Sequence, residues 1–150
     1  MQPENNSTIT FPLIGKTLPD FELEAYLPVG DKLSKLKLGS FKGKWLVILF
    51  YPSNFTYVCP TELEEAAEYY SKFKKLGAEI LSVSTDSAFA HKAWHDNSEA
   101  IKKIKFPMIA DPTGKLLPYA WYIYRGRRHF SSRYLYHRPR SNHQGIRCSR

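Results

Sequence analysis

The C-terminal part of this sequence lacks whole classes of residue. No Lys, Asp or Glu occurs in residues 118–150, whereas all fourteen Lys and all fourteen acidic residues lie between Glu4 and Lys115. Arg is missing from the first 124 residues, and all eight Arg follow in the tail. The formal net charge of +8 therefore belongs to the tail alone. The basic pI does not indicate that the front of the chain binds nucleic acid.

Long apolar runs and cysteines are also scarce. The longest apolar run, Trp45–Tyr51, is too short to cross a bilayer. The polar residues 1–10 do not contain the apolar core of a signal peptide. Two cysteines, Cys59 and Cys148, do not make a disulfide framework. We therefore expect a soluble, cytoplasmic protein with a free thiol.

The hydrophobic pattern predicts an α/β domain with a parallel sheet. The apolar run ending at Tyr51 is typical of a central strand that is buried on both faces. Pro60 suits a first helical turn, and Gly77 suits a helix end. The expected elements, in chain order, are a strand at 45–51, a helix from Pro60 to about Gly77, a strand at 79–85, a helix at about 87–104 and a strand at 106–110.

Composition divides the chain into three parts. Residues 1–11 are expected to be a disordered N-terminus, and residues 12–116 a single domain. Residues 117–150 have neither strand nor helix periodicity and form a separate basic tail.

Cys59 falls between the buried strand and the first turn of the expected helix. Unpaired backbone N–H groups and the positive end of the helix dipole stabilise a thiolate at such a place. The dipole contributes about 0.3–1 kcal/mol, less than the roughly 1.4 kcal/mol that changes an equilibrium tenfold. A reactive thiol therefore needs further donors, and the hydroxyl of Thr56 lies one turn before it. An inert buried thiol is the alternative, and position alone favours neither.

Two other kinds of site have weaker support. His91 and His95 stand four residues apart on an expected helix, a spacing that can hold a metal ion. No third ligand is evident, so a solvent-exposed helix face is the better interpretation. The Cys-x-x-Cys pair of thioredoxin-type reductases is not formed at Cys59, because the second position is Glu62.

The segment from Tyr51 to Glu62, YPSNFTYVCPTE, resembles the active-site segment of peroxiredoxins. Their signature Pro-x-x-x-Thr-x-x-Cys matches at Pro52, Thr56 and Cys59. The Pro-Thr-Glu that follows is typical of the branch that contains the peroxidase component of alkyl hydroperoxide reductase. Flanking segments agree in order and spacing: IGKTLPDF at 14–21, FKGK at 41–44, STDS at 84–87, HKAW at 91–94 and FPMIADP at 106–112.

This resemblance implies a thioredoxin-like fold with a central mixed sheet flanked by helices over residues 12–116. It implies that Cys59 is the peroxidatic cysteine, which peroxide oxidises to a sulfenic acid. Thr56 would hydrogen-bond the thiolate and the substrate, and Pro52 would shield the site from water. The implied substrates are hydrogen peroxide and alkyl hydroperoxides.

The resemblance also implies partners. The reductant would be a thiol system, such as a thioredoxin-like or flavoprotein disulfide reductase, and the assembly a homodimer or larger ring. No cofactor, metal, nucleic acid or membrane partner is implied.

Two interpretations of residues 117–150 remain. Arg mixed with Tyr, Phe and His is typical of a disordered nucleic-acid-binding arm, which leaves a non-enzymatic binding protein as the alternative function. A displaced reading frame explains the tail better. Read one nucleotide later, the codons permitted from Pro118 onward can spell Arg-Met-Leu-Gly-Ile-Tyr-Ile-Glu, and those from Arg133 to Pro139 can spell Gly-Thr-Phe-Ile-Ile-Asp-Pro. Both strings are similar to peroxiredoxin sequence after Gly-Lys-Leu, in that order and separation.

We therefore expect a frameshift near Leu117 and a C-terminally truncated peroxiredoxin with a poorly ordered tail. Peroxiredoxins place an Arg that supports the thiolate just before Gly-Thr-Phe-Ile-Ile, and this chain has Ser132 there. The last sheet strands and the C-terminal arm with the resolving cysteine are expected to be missing. Cys148 lacks the Val-Cys-Pro setting of that cysteine. Impaired peroxidase activity is the expected result.

Overall fold

The computed structural model describes residues 18–57, 59–116, 133–137 and 147–148. The expected disordered N-terminus, residues 1–11, lies outside the described residues, as does most of the tail. Of the helices that are described, none is long and apolar enough to cross a membrane.

A seven-stranded mixed sheet forms the centre of the described structure. Its order is β2-β1-β5-β4-β3-β6-β7, with β3 parallel to β4, β4 parallel to β5, and the other pairs antiparallel. The expected mixed sheet flanked by helices is therefore confirmed. The strands are β1 (Glu22–Leu27), β2 (Lys32–Lys37), β3 (Trp45–Phe50), β4 (Ala78–Ser84), β5 (Met108–Ala110), β6 (Arg133–His137) and β7 (Arg147–Cys148).

Two α-helices connect the central strands. Helix α1 is Cys59–Lys75 and α2 is Ala88–Asn97, with short 3-10 helices at Leu38–Phe41 and Ile101–Lys103. The single helix expected over 87–104 is thus wrong in its second half.

The chain leaves the helical conformation at Ser98. The φ and ψ angles of Ser98 are −124° and 121°, which end α2. Its hydroxyl oxygen then accepts the backbone N–H of Ile101 at 3.5 Å, at the start of the following 3-10 helix. A serine that bonds the backbone ahead of it favours a new start over continuation of the old helix.

The hairpin of β1 and β2 was not predicted from the sequence. Its strands pair in antiparallel register from Glu22 opposite Lys37 to Leu27 opposite Lys32. Gly30 has a φ of +97° in the connecting turn, a conformation that glycine adopts without steric cost. The alternating side chains of β2 are mostly exposed or half-buried, so this edge of the sheet carries a weaker apolar signal than β3.

Strand β3 separates two apolar clusters. Leu46, Ile48 and Phe50 belong to one cluster. Val47 and Leu49, with Tyr51 just beyond the strand, belong to the other, which also contains residues of α1 and α2. Because side chains alternate across a strand, burial on both faces requires the continuous apolar run seen in the sequence.

Two short tail segments extend the sheet beyond β3. Strand β6 pairs antiparallel with β3, from His137 opposite Leu46 to Arg133 opposite Phe50. The sequence predicted that the last strands are missing, so these added strands are a correction to that detail. The two tyrosines of β6 have high β propensity, and pairing satisfies the backbone groups along the edge of β3.

Candidate active site at Cys59

Cys59 is the first residue of α1 and only 4% of it is exposed. It belongs to the cluster of buried residues that includes Tyr51, Leu63 and Trp94. The thiol therefore combines the positive end of a 17-residue helix with an apolar surrounding. The positive end of a helix attracts anions, and the apolar surrounding keeps water away from the sulfur.

The turn between β3 and α1 is tied to the end of β4. The backbone N–H of Asn54 donates to Asp86 Oδ2 at 2.7 Å. The hydroxyl of Ser84 donates to the same oxygen at 2.8 Å. Hydrogen bonds to a carboxylate are stronger than bonds between neutral groups. Asp86 therefore holds the turn against the carboxyl end of β4.

The same turn contains a strained residue. Phe55 has a φ of +56°, in the left-handed region that bulky residues rarely adopt. The residue is 63% exposed, and its ring centroid lies 5.9 Å from that of buried Trp94. Strained backbone of this kind persists only where surrounding contacts determine it.

The structure places the predicted partners of Cys59 in this turn. The hydroxyl of Thr56 donates to the carbonyl oxygen of Ser53 at 3.2 Å. The carbonyl oxygen of Pro52 accepts the hydroxyl of Thr85 at 3.5 Å. These contacts fix the local backbone, while the roles expected for Thr56, Pro52 and Cys59 in catalysis stay predictions.

His91 is fully buried, so its assignment to a solvent-exposed helix face was wrong. It lies on the buried stripe of α2 with Ala88 and Trp94, three residues to either side. Its Nε2 atom is 3.0 Å from the carbonyl oxygen of Ile109, which requires the proton to be on Nε2. Burial lowers the pKa of His91, opposed by the Ile109 carbonyl and Asp86, so the ring is neutral at neutral pH.

Tyr51 contacts His91 and belongs to the same buried cluster as Cys59. Its hydroxyl donates to Asn54 Oδ1 at 2.8 Å and lies 3.2 Å from His91 Nδ1. Burial raises the pKa of Tyr51 far above its usual range; a hydrogen bond with Ser84 opposes the rise, and Asp86 and Cys59 add to it. The phenol therefore keeps its proton.

Sequence reasoning did not assign a role to the residues of this network. The helical spacing of His91 with Ala88 and Trp94 was a signal that it is buried. The other members of the network lie in the sequence segments that carried the resemblance, but a sequence segment does not reveal which side chains contact one another. These other members are Tyr51, Asn54, Ser84 and Asp86.

A metal site has no support in the part of the chain that is described. Within those residues, no three His, Cys, Asp or Glu side chains are grouped closely enough to hold an ion. His95 instead has its Nδ1 3.3 Å from Tyr26 Oη and its Nε2 3.3 Å from the Ile104 carbonyl oxygen.

Two predictions concern tail residues. Ser132, which takes the position expected for an Arg, lies outside the described residues. The backbone of Cys148 pairs with that of Leu135 in β7 and β6. The expectation that Cys148 is not a resolving cysteine stays a prediction.

Comparison with known sequences identifies relatives over most of the described domain. The model of the AhpC/TSA family matches residues 14–124. Alkyl hydroperoxide reductase C of Staphylococcus epidermidis is 48% identical over 101 residues, which are 67% of this chain and 53% of that protein. The Staphylococcus haemolyticus protein of the same name has the same identity and coverage. The chain thus spans about half the length of the curated relatives it matches.

Solved structures have the same fold. Enterococcus faecalis AhpC superposes with a TM-score of 0.69 at 43% identity, covering 73% of this chain and 64% of that chain. A reduced 2-Cys peroxiredoxin of Plasmodium vivax gives 0.72 at 26% identity, covering 83% and 78%. Mycobacterium tuberculosis AhpC gives 0.74 at 26% identity, covering 93% and 84%. With the family match spanning most of its length, the chain belongs to the AhpC/TSA family, and its fold is that of the peroxiredoxins.

Proposed function

We propose that this chain is a thiol peroxidase that reduces hydrogen peroxide and alkyl hydroperoxides at Cys59. The observation that carries the proposal is the position of Cys59 as first residue of α1. Pro52 and Thr56 precede it in the turn, at the spacing of the peroxiredoxin signature. The names of the relatives, alkyl hydroperoxide reductase C and 2-Cys peroxiredoxin, support the same chemistry.

The reaction begins with attack of the Cys59 thiolate on one oxygen of the hydroperoxide. An S–O bond forms and the O–O bond breaks, so sulfur is oxidised by two electrons and the peroxide is reduced. The leaving alkoxide or hydroxide takes up a proton and departs as alcohol or water. Cys59 is left as a sulfenic acid, which condenses with a thiol to give a disulfide and water.

Transition-state charge determines how fast this step runs. The start of α1 contributes about 0.3–1 kcal/mol to thiolate stability, which alone increases the ratio of thiolate to thiol less than tenfold. The hydroxyl of Thr56 is the proposed additional donor, and it must turn from Ser53 to the sulfur or the peroxide to act. We propose that turnover is impaired, because Ser132 stands where the resemblance implies an Arg.

The sulfenic acid must then be reduced. We propose a thiol reductant of the thioredoxin-like or flavoprotein disulfide reductase class, and a cytoplasmic location, where thiol systems remain reduced. A Plasmodium yoelii relative is named thioredoxin peroxidase I, which supports the first class. We also propose a homodimer or larger ring as the assembly.

The experiment is peroxide-dependent labelling of a sulfenic acid in the purified chain. Mass spectrometry after treatment with a sulfenic-acid reagent is expected to place the label on Cys59. Cys148→Ser is the matched control, because it makes the same chemical change in the tail and should leave that labelling intact.

Cys59→Ser should abolish the label. Peroxide-dependent labelling that persists in Cys59→Ser, or none in the unmodified chain, would contradict a peroxidatic role. Binding to nucleic acid that weakens with salt and disappears on deletion of residues 117–150 would instead favour the basic-arm alternative.

A further inference from the structure

A triangle of polar atoms lies buried behind the turn that leads to Cys59. Tyr51 Oη, Asn54 Oδ1 and His91 Nδ1 lie 2.8–3.2 Å from one another. All three residues are buried. The other ring nitrogen of His91, Nε2, donates a hydrogen bond to the carbonyl oxygen of Ile109 in the central strand β5. His91 Nδ1 therefore lies within hydrogen-bond distance of both ends of the segment 51–54, while the Ile109 carbonyl fixes the tautomer of the ring.

The hydrogen atoms of this triangle follow from the charge state of the ring. A neutral ring protonated on Nε2 leaves Nδ1 as an acceptor, which the Tyr51 hydroxyl or the Asn54 amide must meet. The Nδ2 atom of Asn54 is buried and has no partner among the residues that the structure describes. Exchanging Oδ1 and Nδ2 of Asn54 would replace the bond that Tyr51 donates to Oδ1, because Nδ2 would then donate to His91 Nδ1 and Tyr51 Oη. Asp86 is the charged group that acts on His91, and Tyr51 is the titratable group that contacts it.

The turn needs support of this kind. The left-handed conformation of Phe55 costs on the order of 1–3 kcal/mol, which neighbouring contacts must offset. Asn54, immediately before it, is held through its backbone by Asp86 and through its side chain by His91 and Tyr51. Loss of the side-chain contacts leaves the strained residue with fewer constraints.

We infer that His91 is a positioning residue for Cys59, acting through Tyr51 and Asn54 on the turn that sets the thiol at the start of α1. In this role, His91 keeps the sulfur of Cys59 buried and aligned with the hydrogen-bond donors of the turn. This inference deepens the proposed function but rests on it only for the use of peroxide as one of two probes.

The test compares two substitutions at His91 in the full chain. His91→Asn puts an amide close to the place of Nδ1 and can still bond Tyr51 or Asn54, but it loses the bond to Ile109. His91→Leu loses every polar bond. A merely structural role predicts similar behaviour of both variants, whereas a positioning role predicts that Asn rescues the site.

Two reagents probe Cys59 in each folded variant by mass spectrometry. In His91→Leu, sulfenic acid formation by hydrogen peroxide should slow about tenfold or more, because small misplacements of reacting groups are costly. Alkylation by a bulky maleimide should become faster, because the loosened turn exposes the buried sulfur. His91→Asn should stay close to the unmodified chain in both reactions.

His95→Leu is the matched control, since His95 lies on the same helix but contacts Tyr26 and Ile104. It should change neither rate. If His91→Leu does not fold, Tyr51→Phe removes only a hydroxyl and should shift both rates in the same directions, by less. Equal rates in His91→Leu and the unmodified chain, or equal effects of Leu and Asn, would overturn the inference.

The two reagents separate this inference from the proposed peroxidase. If peroxide does not oxidise Cys59 in the unmodified chain, the peroxidase proposal fails. The maleimide rates then still decide the role of His91, because alkylation requires no peroxide chemistry.

Discussion

Asn54 and Asp86 are joined by a bond of 2.7 Å from the backbone N–H of Asn54 to the carboxylate of Asp86. The bond ties the turn before Cys59 to the end of β4, across 32 positions of sequence. It makes the place of the thiol depend on the packing of the central strands rather than on the turn alone.

Asp86→Asn is expected to loosen this connection. The amide removes the charge that strengthens the bonds from Asn54 and Ser84, so the free energy of unfolding should fall by about 1.5–3 kcal/mol. Urea unfolding measures the loss. Asp96→Asn is the control, because Asp96 is an exposed acid paired with Lys92 on α2, and its loss should matter little. Equal stability of the two variants would contradict the role of Asp86.

The stability of the fold should decrease in acid because of His91. Burial depresses the pKa of His91 below its unfolded value of about 6.5, so below that pH the unfolded chain binds more protons. The contribution of the neutral ring is therefore present above about pH 6.5 and is lost as pH falls through the folded pKa. Urea unfolding at about pH 7.5 and about pH 5.5 should show that the free energy of unfolding falls less in His91→Asn than in the unmodified chain. An unchanged pH dependence in His91→Asn would refute this assignment.

Much of the architecture follows from local sequence patterns. The apolar run at 45–51 and the proline and glycine around α1 predicted β3 and the first helix closely. The position of Cys59 at the junction followed from those two elements. Local pattern was sufficient there because burial on both faces and helix termini leave direct marks in the sequence.

The rest depends on tertiary contacts. Whether His91 faces water or the core is decided by packing of α2 on β5, and the sequence was interpreted as placing it on a solvent-exposed helix face instead. The end of α2 at Asn97 is followed by a serine hydroxyl that accepts a hydrogen bond from further along the chain. The end of α2 cannot be extracted from periodicity alone, because the competing arrangements have similar local propensities.

A buried carboxylate makes a second testable network away from the cysteine. Glu79 is only 6% exposed; it accepts the hydroxyl of Tyr70 and lies 3.3 Å from the ammonium of Lys74. Tyr70→Phe leaves this carboxylate with one fewer donor and should lower the free energy of unfolding by about 1–3 kcal/mol. Tyr69→Phe, on an exposed neighbouring ring, is the control for loss of a hydroxyl. If Tyr69→Phe lowers the free energy of unfolding as much as Tyr70→Phe does, the proposed role of the network is contradicted.

Close packing at Gly39 can be tested by a double-mutant cycle. The backbone N–H of Gly39 donates to Asp20 Oδ1 at 2.6 Å, and a Cβ at this position would lie 2.5 Å from Asp20 Oδ2. Gly39→Ala must displace the carboxylate and should cost about 1–2 kcal/mol of unfolding free energy. In an Asp20→Ala background the cost should shrink, because the obstructing group is gone. Strictly additive effects would mean that the two residues do not interact.

The reading frame of the tail gives the last prediction. The codons from Arg133 to His137 can spell Gly-Thr-Phe-Ile-Ile one nucleotide later, and this same segment is the one that pairs with β3 as β6. Both versions are rich in residues of high β propensity. We expect sequencing of the gene across the codons for Lys115 to Pro118 to reveal one nucleotide too many. Restoring the frame should replace the basic tail, put an Arg in place of Ser132 and raise the rate at which peroxide oxidises Cys59. If the gene carries no extra nucleotide, the expected frameshift is wrong. If, in addition, peroxide oxidises Cys59 just as fast after residues 117–150 are deleted, the tail in this frame contributes nothing to the site.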